Sequence, residues 1–74
     1  MTDFVKIDDK RPTLEEAQAF VGGYVEMIMV DGTQVLINEG GKGLRLPMNE
    51  AATMYCNQPI VGPAMVLSGE ALWD

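Results

Sequence analysis

The sequence predicts an α+β domain, a small antiparallel sheet with its elements in β-α-β-β-α-β order, one main packing helix and one short helix. Three observations carry this expectation. Asp31-Gly32 separates two apolar runs, and a two-residue hairpin turn needs positive φ, which aspartate tolerates and glycine adopts freely. Thr13 and Glu16 stand at capping-box spacing ahead of a helical apolar pattern, so each can satisfy a free amide of the first turn. Asn49, two residues beyond Pro47, is placed to cap a second helix.

Taken in order, Phe4-Val5-Lys6-Ile7 alternates enough for a first strand, which the charged turn Asp8 to Pro12 ends. The helix after Thr13 puts Leu14, Ala17 and Val21 on one face, spans about two turns, and stops at Gly22-Gly23. Tyr24 to Val30 is nearly continuous in apolar character, with Glu26 on its wetter side, and reads as a central strand. Thr33 to Asn38 returns antiparallel. Beyond the loop from Glu39 to Pro47, a helix capped by Asn49 runs through Cys56, with Glu50 at its positive end, and Asn57-Gln58-Pro59 closes it. Ile60 to Leu67 is the last strand, and Gly62-Pro63 within it predicts a bulge or an edge location, because proline donates nothing to a ladder. Ser68-Gly69 then leads to a tail carrying Trp73. The element order matches the split βαβ pattern; a curled antiparallel sheet with one packing helix is the alternative.

The whole chain, residues 1–74, reads as one small domain. A chain this short buries only roughly 60% of its unfolded surface, so a homodimer that covers further apolar area is expected. The 47% hydrophobic and 22% charged composition fits a packed globule rather than a disordered acidic tail. One cysteine, Cys56, forms no intrachain bridge, and no leader pattern or long apolar run is present. A cytoplasmic location in a host cell is therefore expected, without membrane contact.

Net charge of −6 repels phosphate backbones and argues against direct nucleic-acid binding. Imitation of DNA would exploit such charge, but the carboxylates adjoin only at Asp8-Asp9 and Glu15-Glu16, and a solubilising surface is the simpler reading. The chain has no histidine, which removes the usual general base and a common zinc ligand. Ser68 and Cys56 accordingly lack an activating partner, and Glu39 and Glu50 read as solvated carboxylates. The sequence predicts no catalytic residue, no metal site and no cofactor, and hence not an enzyme.

The run from Val35 to Asn49 is the most informative stretch, joining a buried strand, a glycine loop with Lys42, and a helix cap. Its Glu39-Gly40-Gly41-Lys42-Gly43 loop invites comparison with phosphate cradles. A P-loop, however, places Ser or Thr and then a helix after its lysine, whereas Gly43 and an apolar stretch follow here. Lys42 and Arg45 are the only basic groups of the second half, so Asn38, Gly41, Lys42 and Arg45 are the candidate ligand-binding residues. Candidate partner-binding residues are Trp73, Tyr24 and Glu26. Tryptophan and tyrosine are enriched at binding hot spots, although Trp73 folding back over the core is an equal alternative. Phe20, Tyr24, Met27, Met29 and Met65 fit either an adaptable binding surface or a core, and core is the default reading.

Four segments together carry a resemblance: Ala19 to Glu26, containing Val-Gly-Gly; Asn38 to Leu44, containing Asn-Glu and Gly-Lys; Leu46-Pro47-Met48-Asn49; and Pro59 to Ala64, containing Ile-Val-Gly. They resemble a family of small proteins of unknown function from bacteriophages and other mobile elements, from about Leu14 to Leu67. This chain departs from the pattern by the additional Gly41 and by Pro63. The resemblance implies a phage or plasmid source and supplies no catalytic residues. The expected function is that of a non-enzymatic phage-type binding protein that occupies a host protein, with inhibition of a host defence system as one form. The alternative is a protein that sequesters an anionic nucleotide at the glycine-rich loop.

Overall fold

A computed structural model describes residues 2–74, in which β1 (Phe4–Ile7), α1 (Leu14–Val21), β2 (Val25–Val30), β3 (Thr33–Asn38), α2 (Glu50–Cys56) and β4 (Ala64–Leu67) follow in the expected order. A 3-10 turn, Gly69–Ala71, comes last. The four strands form one mixed sheet in the spatial order β1-β4-β3-β2. β2 pairs antiparallel with β3 and β3 with β4, while β1 runs parallel to β4. Consequently α1 joins two parallel strands at opposite edges of the sheet, and α2 joins two antiparallel neighbours. A split βαβ arrangement would have each helix link strands that run the same way, so the shared element order does not extend to its topology.

Local chemistry explains the elements. At the hairpin tip Asp31 and Gly32 have φ of 45° and 78°, the two positive values that a twisted two-residue turn requires. The capping box forms as expected: the Glu16 amide donates to Thr13 Oγ1 at 3.0 Å, and the Thr13 amide donates to Glu16 Oε1 at 2.8 Å. Gly22 ends α1 in the left-handed region at φ 82°, donating its amide to the Gln18 carbonyl.

Alternation along the strands creates two apolar faces. One buries Val35, Ile37, Ala64 and Val66 against Ala52 and Tyr55 of α2 and against Ile60. The other buries Leu36, Met65 and Leu67 against Ala17 and Phe20 of α1 and against Leu72 and Trp73. The short α2 thus covers a whole face, helped by Ile60 from the loop that follows it. Leu14, expected beside Ala17 and Val21, is instead exposed.

Two strands occupy places other than those expected. β4 is an interior strand rather than an edge, with all four residues buried. Pro63 lies just before it, so its missing N–H removes no ladder bond; the preceding Val61 makes only an isolated bridge to Met48. β2, expected to be central, is an edge strand that leaves Met27 and Met29 exposed.

The Thr13 main-chain bond, and then its side-chain bond, hold the Glu16 carboxyl below its ordinary range. A depressed folded-state pKa gives a contribution that is complete above the unfolded value and lost as pH falls through the folded one. Thr13→Ala should cost about 1 kcal/mol in urea unfolding at neutral pH, and Glu16→Gln should flatten the decline in stability below the unfolded glutamate pKa.

Candidate functional site

The glycine loop is a coil of tight turns that consumes its own polar groups. Gly40 donates its amide to Asn38 Oδ1 at 2.8 Å. The amides of Gly41, Leu44, Arg45 and Leu46 donate to the carbonyls of Asn38, Gly40, Lys42 and Gly41 at 2.9 to 3.1 Å. An anion cradle needs such amides aimed at a ligand, and here most of them point back into the chain.

Asn38, a candidate ligand residue, is buried, and both ends of its amide are engaged within the protein. Its Nδ2 donates to the Val21 carbonyl at 3.0 Å while its Oδ1 takes the Gly40 amide, so it fastens the end of α1 to the end of β3. Gly41 is buried for a packing reason: a Cβ there would stand 3.0 Å from Val61 Cγ2 and 3.3 Å from the Asn38 carbonyl oxygen. Lys42 and Arg45 are exposed, and Arg45 adopts a left-handed φ of 57°. Lys42 lines a small hollow of about 130 Å³ beside Glu26, Glu39, Ile37 and Pro59. Two carboxylates and one ammonium make that hollow a poor seat for an anion, and its volume is below the range of roughly 300 Å³ and above typical of ligand pockets.

The three candidate partner-binding residues are not brought together. Trp73 folds back: its indole N–H donates to the Pro12 carbonyl at 2.9 Å, and its main chain exchanges two 2.6 Å bonds with the Gln34 side chain. It joins the core on the α1 face. Glu26 lies on the other face, since it alternates with Ile28 and Val30, which pack with α2. Tyr24 is 76% exposed and borders an open apolar hollow of about 530 Å³ with Leu44, Gly43 and Gly23. Tyr24 and Glu26 therefore share the start of β2, and Trp73 belongs to the scaffold.

Leu44, Met27 and Met29 are exposed as well; the sequence offers the two methionines as a binding surface only second to core, and does not single out Leu44. Their signal was the apolar run itself, which looks the same in a buried strand and in an uncovered edge. Cys56 is half-buried, and desolvation pushes its thiol pKa up, away from the reactive thiolate. No group of three or more metal-ligating side chains occurs among the described residues, and no helix there is long and apolar enough to cross a membrane.

These features define the class as a small α+β domain with one helix on each face of a mixed four-stranded sheet. The chain belongs to the family described as Domain of unknown function (DUF3846), which matches residues 2–71. No curated protein and no solved structure matches it. The resembling segments coincide with scaffold residues: Gly22 at the α1 stop, Asn38 at the loop, Asn49 at the α2 cap, and Gly62, whose φ of 81° suits glycine.

Asn38→Ala should cost about 2 kcal/mol in urea unfolding, because it orphans the buried Val21 carbonyl and the Gly40 amide. Lys42→Ala, on the exposed part of the same loop, should stay within about 0.5 kcal/mol of wild type.

Proposed function

We propose that this protein acts by binding another protein through the surface at the start of β2, where Tyr24 and Glu26 stand exposed beside Leu44. The observation that carries this reading is that exposed apolar side chains, Tyr24, Met27 and Met29, lie along an unpaired sheet edge whose own charged residues, Glu26 and Asp31, are acidic. Tyrosine supplies large contact area at little entropic cost, and Glu26 adds a charge that selects basic partners. In a phage or mobile-element setting, which the sequence resemblance suggests, the partner is a host protein in the cytoplasm and occupation of it inhibits that protein, a defence component being one target class.

Sequestration of an anionic nucleotide has less geometric support. Lys42 and Arg45 are available to meet an anion, but Asn38 and most loop amides are already bonded within the chain.

Affinity capture from host lysate with the tagged protein, quantified by mass spectrometry, tests the protein-binding reading. The double variant Tyr24→Ala, Glu26→Lys should fold normally and retain at least about tenfold less of one specific protein, equivalent to roughly 1.4 kcal/mol. A capture profile identical for the two proteins would overturn the reading.

A further inference from the structure

Resting on that protein-binding reading, we propose that β2 takes an extended, basic segment of its partner as a fifth strand of the sheet. The pairing of β2 fixes which of its main-chain groups are free. Val30 and Thr33 close the two-residue turn as a bonded pair, and at the other end the Glu39 amide donates to the Tyr24 carbonyl at 2.9 Å. Bonding alternates along an antiparallel ladder, so Glu26, Ile28 and Val30 spend their amides and carbonyls on β3. Those of Val25, Met27 and Met29 point out of the sheet, where the strand order puts no neighbour.

Edges of natural sheets are usually blunted by brevity, lysine, proline or a bulge. β1 carries such devices, being four residues long with Lys6 exposed on it and acidic residues just before and after. β2 carries none of them. It has six residues in unbroken register, without proline or lysine.

Side chains along this edge describe the incoming strand. Met29 is 63% exposed and Met27 39% on the α1 face, which suits apolar residues at alternate positions of the added segment. Glu26 stands exposed on the opposite face, and the hollow it lines holds two carboxylates, Glu26 and Glu39, against the single ammonium of Lys42, a net negative charge that suits lysine or arginine there. The stretch from Tyr24 to Glu39 contains Glu26, Asp31 and Glu39 and no basic residue. That sign favours a basic segment and opposes a second copy of the same edge.

Three synthetic peptides of about eight residues, long enough to span an ordinary strand, test the proposal: alternating Lys-Val, alternating Glu-Val, and Lys-Val with alternate amides N-methylated. Amide hydrogen exchange of the full chain is followed by NMR. With Lys-Val at roughly ten times its Kd, exchange at Val25, Met27 and Met29 should slow by about tenfold, while the other two peptides leave it unchanged. Absence of protection by Lys-Val, or equal protection by the N-methylated form, overturns strand addition. Concentration-dependent protection without peptide, together with a dimer in sedimentation, also overturns it and assigns the edge to a second copy. Met27→Pro provides a separate check, since its amide faces outward and an edge strand tolerates proline there; the folded variant should lose both Lys-Val and the captured partner. A variant that keeps a partner lost by Tyr24→Ala, Glu26→Lys would overturn strand addition while leaving the side-chain reading intact. Capture of no specific protein by the wild type would remove the binding reading, and the peptide result would still decide the chemistry of the edge.

Discussion

The side chain of Asn49 holds three parts of the chain that are distant in sequence. Its Nδ2 donates to the Asp3 carbonyl at 2.8 Å and to the Gly62 carbonyl at 2.9 Å, while its Oδ1 accepts the Ala52 amide at 3.1 Å. Its own amide donates to the Ile60 carbonyl at 2.8 Å. The residue is 1% exposed and its bonds to Gly62 and Ala52 are buried, so a partner left unsatisfied there would cost about 1 to 3 kcal/mol. This one residue starts α2, fixes the loop that delivers β4, and anchors the chain just before β1. The parallel pairing of β1 with β4 begins immediately beyond those contacts, with Phe4 opposite Ala64.

Placing β4 in the interior decides what is left outside. With β1 on one side of it and β3 on the other, the hairpin can add only β2 at the far edge. Both helices are already used, one on each face, and the C-terminal tail is fastened through Gln34 and Trp73 to the α1 face. Nothing among the described residues remains to cover β2. The exposed methionines and the outward main-chain groups are thus consequences of a topology held by a buried amide, and function is read from the place the fold leaves open.

Much of this was legible in the sequence wherever one residue type has one conformational use. Asp31-Gly32, the Thr13/Glu16 box and Asn49 each specify a local geometry, and each forms as expected. Strand position was not legible, because periodicity reports apolar content and not neighbours. The run Tyr24 to Val30 reads as central and its strand is an edge, while Gly62-Pro63 suggests a bulge or an edge for a strand that starts one residue after Pro63 in the interior. The same holds for the loop: local spacing makes Asn38 and Gly41 polar and small residues near a lysine, and does not show that their side-chain environment is internal. Long-range bonds such as those of Asn49 to Asp3 and of Trp73 to Pro12 leave no trace in local spacing.

Urea unfolding of Asn49→Asp beside Asn49→Ala shows whether the topology depends on this buried amide. Aspartate keeps the oxygen that caps α2 and is as good a cap as asparagine, but it loses both donated bonds and sets a carboxylate against two carbonyl oxygens. If the amide is the clamp on which the topology depends, Asn49→Asp should lose on the order of 3 kcal/mol, at least as much as Asn49→Ala. Wild-type stability in Asn49→Asp, with a loss of only about 1 kcal/mol in Asn49→Ala, would make Asn49 an ordinary helix cap on which the topology does not depend.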